Sequence, residues 1–443
     1  NTANSNTGFV RNDLRGKWGY TSDPNAQVFH ELTMQVAYAD EQSNETYLGL
    51  SQADFDTDPY RRYAASGRDN MQWWRTQLRA DYVLSLPSGF DVGATAYRND
   101  FFRDWTKANR FAGGATFDDV LANPDTGQSA VLYNALTGEQ DSQSADQQII
   151  LGANRRRYVS QGVQLKTHFY PKLSWMESST ELGLRIHQDS VERDHLESNY
   201  AMVNRVLVPQ TTSADAGSTI ALQNNGGAFA VAFHYKNEMS FTQSSHSWLR
   251  RLLFFKALRI ESIRTTFGQD TPALLPATSG DALTDPRWQW GLMPAVGIDY
   301  ALLDALHVTA SYHHGFSPVS PGQNSSVKPE RSHNYELGGR LASRFITADL
   351  TGFFNDYGNI KGECSASKGC LVTQLNQQFN GGKVYIYGLE AKLSRRLTLP
   401  WDIVLDGNAT YTLTASRFRT TFSSANPLFG DVAQGDNLAY VPV

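Results

Sequence analysis

The run Glu-Leu-Gly-Leu-Arg-Ile-His at residues 181–187 shows the pattern that decides the fold. Leu182, Leu184 and Ile186 are apolar, and the residues that alternate with them are glycine or carry polar or charged side chains. Because successive side chains of a β-strand point to opposite faces, a strand here has one apolar face and one polar face. An ordinary β-sandwich shows the same alternation, so this pattern predicts strands without fixing the architecture.

The architecture follows from the spacing of the predicted strands, because the connections between them are alternately short and long. The predicted strands are residues 8–18, 27–40, 72–86, 88–104, 155–169, 180–193, 227–241, 248–264, 288–300, 306–316, 332–343, 345–360, 383–396 and 401–415. The short connections are residues 87, 170–179, 242–247, 301–305, 344 and 397–400, and the long ones are 41–71, 105–154, 194–226, 265–287, 317–331, 361–382 and 416–438. Short periplasmic turns and long extracellular loops are typical of up-and-down barrels in outer membranes. The sequence therefore predicts an all-β, antiparallel, transmembrane barrel of which about 14 strands are present.

The face assignments follow from the same alternation. In residues 332–343, Tyr335 and Leu337 are assigned to the lipid face, and Asn334 and Glu336 to the interior of the barrel. A charged side chain on the lipid face costs a few kcal/mol near the bilayer midplane, so the polar set must line a wet or protein-filled interior.

The composition of the chain argues against other classes of protein. The chain has 443 residues, 12% of them aromatic, a net charge of -5 and a mean hydropathy of -0.43. It contains no apolar run of about 20 residues, which excludes a helical membrane protein. The negative net charge gives no reason to expect nucleic acid as a partner.

The ends of the sequence predict a partial barrel. No signal peptide is visible at Asn1–Thr7, and the chain stops at Val441–Val443, just inside a further predicted strand. An open barrel would leave unpaired strand edges in lipid. We therefore expect residues 1–443 to be one partial barrel domain with strands missing at both ends.

Two runs resemble the TonB-dependent outer-membrane receptors. They are Gly315-Phe316-Ser317-Pro318 and, at residues 327–338, Val-Lys-Pro-Glu-Arg-Ser-His-Asn-Tyr-Glu-Leu-Gly. Phe-Phe-Asn-Asp-Tyr at 353–357, Gly-Leu-Glu at 388–390 and Tyr-Thr-Leu-Thr at 411–414 follow in the order of that family. The resemblance covers essentially the whole chain as middle-barrel sequence. It implies an outer-membrane barrel of about 22 strands in a Gram-negative bacterium. The family's barrel holds an N-terminal plug, absent from this sequence, and the TonB–ExbB–ExbD complex energises uptake through that plug.

A narrower resemblance concerns the ligand. Residues 45–55 and 58–63 are similar to receptors for ferric dicitrate, and Asn355-Asp356-Tyr357 fits the same subgroup. The resemblance implies TonB-dependent uptake of ferric citrate or a similar carboxylate siderophore. Another siderophore, cobalamin, haem and a passive porin remain the alternatives. His195, His313, His314 and His333 near loop boundaries are the residues that would serve haem.

Arginines near the outer mouth are the candidate ligand-binding residues. The iron of ferric citrate is already coordinated by the chelator, so the receptor needs cationic donors and neither metal ligands nor a cofactor. The two-pronged guanidinium of Arg matches a carboxylate. The favoured set is Arg61, Arg62, Arg68, Arg98, Arg155, Arg157 and Gln289, and further candidates are Arg103 and Arg156. The alternative is that these arginines pair with loop acids such as Asp54, Asp56, Asp58 and Asp69.

Two further predictions concern chemistry. Cys364 and Cys370 share one predicted external loop, where a disulfide would persist. A metal site is the alternative, although two thiols without nearby histidines make a poor zinc set. The sequence contains no Gly-x-Ser-x-Gly, His-Glu-x-x-His or phosphate-loop motif, so it does not predict an enzyme.

Overall fold

The computed structural model describes residues 7–210, 218–241, 246–269, 286–343, 345–364, 377–424, 429–439 and 441. Its strands are β1 (Phe9–Thr21), β2 (Phe29–Ser43), β3 (Asn70–Leu86), β4 (Phe90–Phe111), β5 (Ile149–Phe169), β6 (Lys172–Leu173), β7 (Met176–Val203), β8 (Val206–Pro209), β9 (Ser218–Ser240), β10 (Leu252–Gln269), β11 (Arg287–Leu303), β12 (Leu306–Ser317), β13 (Glu330–Ala342), β14 (Thr347–Asn359), β15 (Lys361–Glu363), β16 (Gln378–Asn380), β17 (Val384–Thr398), β18 (Val404–Phe418), β19 (Phe422–Ser423) and β20 (Asp431–Val432). The helices are α1 (Gln52–Thr57), α2 (Phe117–Ala122) and α3 (Gly127–Thr137), with single 3-10 turns at Ala64–Ser66, Ala145–Gln147, Leu249–Arg251 and Pro400–Asp402.

One antiparallel sheet contains most of the chain. Its order is β1-β2-β3-β4-β5-β7-β9-β10-β11-β12-β13-β14-β17-β18, and the short strands β6 and β8 pair with β7. Consecutive long strands are therefore neighbours throughout, which confirms the predicted all-β, up-and-down architecture. Short and long connections alternate as predicted, so the long connections share one end of the sheet. Among the described residues, no helix is long and apolar enough to cross a bilayer.

Register places the apolar side chains of neighbouring strands on one face. Val163, Ile186 and Val231 are direct cross-strand partners on β5, β7 and β9, and all three are exposed. Leu337 of β13 is likewise exposed, whereas Asn334 is buried, in agreement with the predicted faces. Large apolar side chains that stay exposed along a sheet need an apolar environment. We call this face the outward face and the opposite one the inward face.

Four strands extend furthest beyond the predicted bounds at the end that carries the long loops. β4 continues to Phe111, β5 starts at Ile149, β7 ends at Val203 and β9 starts at Ser218. The lipid-facing alternation stops before these ends, but backbone pairing continues. Polar pairs such as Arg155 with Asp104 and Asp194 lie where the alternation stops, and apolar side chains beyond them, such as Ile149 and Leu151, are buried. A prediction from hydrophobic periodicity ends where the lipid-facing pattern ends.

The long loops of this region fold together around a second core. The buried members of this loop core are Tyr63, Ala64, Ala65, Ala108, Phe111, Phe117, Val120, Leu132, Leu136, Ile149, Leu151, Met202 and Leu207. They come from the connection after β2, from the connection after β4 with its helices, and from the outer ends of β4, β5, β7 and β8. The sequence pattern predicts these connections as separate loops and does not indicate a common core.

Some predictions fall on residues outside the described ranges. Cys370 and residue 344 are among them, as are parts of the connections 242–247, 265–287 and 361–382. Cys364 is buried at the end of β15, but its disulfide with Cys370 stays a prediction.

Candidate ligand-binding site

Three arginines form a row across neighbouring strands. Arg103 of β4 lies directly opposite Arg156 of β5, which in turn lies directly opposite Arg193 of β7. Neighbouring strands are about 4.8 Å apart, so the three Cα positions span about 10 Å. In β5 the odd-numbered residues share the outward face with Val163, so Arg156 points to the inward face. We call these three residues the inward arginine row.

The charges of the inward arginine row have few partners inside the protein. The Nε atoms of Arg103 and Arg193 are buried without a hydrogen-bond partner. Arg156 donates from Nε to Asn154 Oδ1 at 2.8 Å and from Nη1 to the Tyr158 hydroxyl at 3.3 Å, both neutral acceptors. Among the described residues, none of the three arginines forms an ion pair with an acid. Like charges placed directly opposite each other destabilise a sheet, so the row needs an explanation other than stability.

Aromatic rings and a further cation flank the row on the inward face. Phe101 stacks on Tyr158 with ring centroids 5.8 Å apart. This is the next inward-facing cross-strand pair after Arg103 and Arg156, on the side away from the long loops. On the outer side, Lys107 Nζ lies 4.6 Å from the Trp105 ring centroid and 4.9 Å from that of Tyr47. The arrangement therefore offers fixed cationic donors bordered by flat apolar surfaces. Such a surface binds an anion with several carboxylates through charge-assisted hydrogen bonds.

Three of the arginines favoured from the sequence lie on the other face. Arg98, Arg155 and Arg157 occupy outward positions of β4 and β5. Arg98 binds Asp100 through Nη2 at 2.8 Å and Gln161 through Nη1 at 3.1 Å. Arg155 binds Asp104 through Nη2 at 3.0 Å. The structure thus does not bring these side chains to the inward arginine row.

The arginines of the first long loop bind residues of that loop and of β8. Arg61 forms an ion pair with Asp54 through Nη1. Arg62 donates to the Ser66 hydroxyl and carbonyl, each at 3.2 Å, and Arg68 donates to the Leu207 carbonyl at 3.0 Å. For Arg61, this is the pairing with a loop acid that the sequence left open as the alternative.

Asp54 is the centre of a buried network in that loop. It accepts hydrogen bonds from the hydroxyls of Tyr63, at 2.5 Å, and Tyr133, and from Ser51, which caps α1. Burial alone raises the pKa of this carboxyl, but the bonds from Tyr133, Tyr63 and Ser51 and the charge of Arg61 outweigh it and lower the pKa. The Tyr63 end of the segment that resembles dicitrate receptors is thus part of the loop core.

A second buried acid of the loop behaves differently. Asp69 accepts hydrogen bonds from the Thr46 hydroxyl at 2.5 Å and from the Ala108 amide at 2.9 Å. Burial dominates and raises its pKa to about 6, although these bonds and the charges of Arg62 and Lys107 act in the opposite direction. Asp69 fixes the loop to the outer end of β4.

Gln289 faces inward but is already engaged. Its Nε2 donates to the Val319 carbonyl at 2.9 Å, and its Oε1 accepts from the Val319 amide at 2.7 Å. The side chain therefore holds the connection 318–329 against β11. Its predicted role as a ligand donor would require that connection to move.

Of the four histidines considered for haem, His314 and His333 are the two that lie together. His313 and His314 are consecutive residues of β12 and point to opposite faces. The ring centroids of His314 and His333 are 5.2 Å apart. The Nε2 atom of His195 lies 3.6 Å from Oε1 of Glu197. Within the described part of the chain, no group of three or more His, Cys, Asp or Glu side chains is placed to hold a metal ion.

The model of one protein family, described as TonB dependent receptor-like, beta-barrel, matches residues 1–442. The chain belongs to this family of TonB-dependent receptor barrels. Members of the family are outer-membrane transport receptors of Gram-negative bacteria that take up ferric siderophores and work with TonB. Among curated proteins, no sequence matches the chain.

Solved structures of a ferric citrate transporter and of two receptors share the fold. The ferric citrate transporter FecA in its unliganded form has a TM-score of 0.65 at 15% identity, over 99% of this chain and 55% of FecA. The siderophore receptor PiuA from Acinetobacter baumannii has a TM-score of 0.68 at 12% identity, over 99% of this chain and 62% of PiuA. The ferric yersiniabactin uptake receptor FyuA from Yersinia pestis has a TM-score of 0.58 at 12% identity, over 98% of this chain and 55% of FyuA. This TonB-dependent receptor chain thus spans 55% to 62% of the length of these proteins, and at such identities the likeness shows the fold alone.

Sequence reasoning named Arg103 and Arg156 without favouring them, and it missed Arg193. The alternation within strands carries a usable signal. In residues 180–193, Arg185 and His187 were assigned to the polar face, and Arg193 has the same parity. What the sequence does not carry is the register that puts the three arginines opposite one another.

Proposed function

We propose that this chain is the barrel domain, residues 1–443, of an outer-membrane receptor for a ferric chelate with several carboxylates. Ferric citrate is the first candidate. The receptor would import the chelate actively, and the TonB–ExbB–ExbD complex would supply the energy through a plug domain inside the barrel. The single observation that carries the ligand class is the inward arginine row, which has no acid paired to it among the described residues.

The chemistry of such a chelate fits the row. Its iron is enclosed by carboxylate and hydroxyl groups of the chelator, so recognition acts on the anionic outer surface of the complex. Each guanidinium can hold one carboxylate with two parallel hydrogen bonds, and three in a row match an extended polyanion. A neutral ligand without hydrogen-bond acceptors would leave the buried Nε atoms of Arg103 and Arg193 without a partner.

The position of the row supports a receptor function. It lies on the inward face near the end of the sheet that carries the long loops, where a ligand arriving from outside would first meet the interior of the barrel. The loop core includes Ala108 and Leu151, which lie beyond the row at the outer ends of the same strands β4 and β5. A bound chelate would then be passed inward along the polar face when the plug moves.

The test compares two triple variants of the complete receptor. One changes the inward set, Arg103, Arg156 and Arg193, to Gln, and the matched control changes the outward set, Arg98, Arg155 and Arg157, to Gln. Both remove three positive charges from the same region. Tryptophan fluorescence is recorded during titration with ferric citrate, a ferric hydroxamate siderophore, haem and cobalamin.

We expect saturable quenching by ferric citrate in the parent and in the outward variant, and binding weaker by about a hundredfold or more in the inward variant. Equal affinity in both variants would remove the row from the site. Saturable binding of only a neutral chelate or cobalamin would overturn the ligand class but retain the family.

A further inference from the structure

The connection between β14 and β17 places an acid near the inward arginine row. Its strands β15 and β16 form a short antiparallel pair, in which Glu363 lies opposite Gln378. Glu363 is exposed, whereas its neighbour Cys364 is buried. The amide of Cys364 donates to the Gln377 carbonyl at 3.0 Å, so backbone bonds on both sides fix Glu363.

A chain of contacts holds this hairpin against the wall that carries the row. The Ser320 amide donates to Gln378 Oε1 at 3.1 Å, and Gln378 Nε2 donates to the Ser320 hydroxyl at 2.8 Å. The next residue, Pro321, packs on the inward side of β9, since a Cβ added to Gly226 would lie 3.2 Å from Pro321 Cβ. That Cβ would also lie 3.4 Å from a methyl group of Val191, which is two residues from Arg193 on the same face.

Charges of both signs act on Arg193. The Glu363 carboxylate attracts its guanidinium, whereas the positive charges of Arg156 and Arg103 repel it. Lys361, the other charged side chain of β15 and β16, donates from Nζ to the Pro318 carbonyl and, at 3.3 Å, to the Ser317 hydroxyl. Of the charged side chains on these two strands, Glu363 is the one that acts on the row.

We propose that Glu363 is a specificity-determining residue, an internal carboxylate that partly compensates Arg193 in the unliganded receptor and that an incoming chelate must displace. This rests on the proposed function of the inward arginine row. A ligand with one carboxylate gains little, because it replaces one carboxylate by another. A chelate with several carboxylates also engages Arg156 and Arg103, so the competition favours polyanions.

The experiment measures ferric citrate and acetate binding to the complete receptor and to its Glu363→Gln variant, the latter as competition against ferric citrate. We expect Glu363→Gln to bind ferric citrate about threefold to tenfold more tightly, and acetate to become a measurable competitor, because the internal competitor is gone. The charge-matched control is Glu45→Gln, an exposed acid of the first long loop, which should leave both affinities unchanged.

A second background separates the two proposals. In Arg193→Gln, the additional change Glu363→Gln should give no gain, because the charge that Glu363 faces is absent. Weaker or unchanged binding in Glu363→Gln, or an equal gain in Glu45→Gln, would overturn the role of Glu363. If the row variants bind ferric citrate as the parent does, the proposed function itself fails, whatever Glu363→Gln shows.

Discussion

Arg155, Arg156 and Arg157 are consecutive, yet the structure gives them opposite surroundings. Arg155 is exposed on the outward face and forms ion pairs with Asp104 and Asp194. Arg156 faces inward between two other arginines and has only neutral hydrogen-bond partners. Exposed ion pairs of this kind contribute little to stability. The comparison teaches that the face and the cross-strand neighbours of an arginine indicate its function better than its residue type does.

The largest effect on ferric citrate affinity is expected when one inward charge is reversed. Arg156→Glu should weaken ferric citrate binding by more than about a hundredfold, because it repels the ligand and gives Arg103 and Arg193 a partner within the protein. Arg155→Ala is the neighbouring control and should change the affinity less than about twofold. Fluorescence titration measures both. A large loss in Arg155→Ala, with folding intact by gel mobility of the unheated barrel, would contradict the difference between the two faces.

A smaller effect, on the stability of the first long loop, is expected for an arginine outside the inward arginine row. Arg61→Ala should destabilise the first long loop by about 2 kcal/mol, because Asp54 loses its charged partner while it stays in the buried network. Hydrogen exchange of residues 51–58 measures this loss. Tyr60→Ala, which changes an adjacent and fully exposed side chain, should leave exchange unchanged. Weaker chelate binding in Arg61→Ala without any change in exchange would instead place Arg61 in the ligand site.

The smallest effect concerns a buried acid and depends on pH. The pKa of Asp69 is raised to about 6, so between its ordinary pKa and about 6 the folded loop holds a proton that the unfolded loop has released. The stability that this proton gives is complete below the ordinary pKa and is lost as pH rises through about 6. Asp69→Asn should therefore stabilise the loop by about 1 kcal/mol at pH 8 and have no such effect near pH 4. Hydrogen exchange of residues 44–69 at the two pH values tests this, with Glu45→Gln as an exposed control. An equal gain at both pH values would show that the ionisation of Asp69 is not the cause.

The sequence predicted the sheet well because lipid imposes its pattern on every spanning strand. Alternating side chains and alternating connection lengths identified all fourteen strands of the main path. The same pattern failed at the outer ends of β4, β5, β7 and β9, because these ends continue beyond the lipid-facing alternation and, in β4, β5 and β7, pack in the loop core. Arg103, Arg156 and Arg193 all lie within predicted strands, but the register that puts them opposite one another is not recorded in any local pattern. Burial of Asp54 and Asp69 depends on contacts between distant loops, which no local pattern records.

The shared loop core has a consequence for how such a receptor can diversify. Tyr63, Leu136 and Met202 come from three separate segments, and each is almost fully buried against the others. Replacing one segment by that of a relative would leave apolar side chains of the other two without partners. The unit that can be exchanged between receptors is therefore the whole set of three segments. Recombination within it would be selected against, whereas a change at an exposed position such as Tyr60 would leave the core intact.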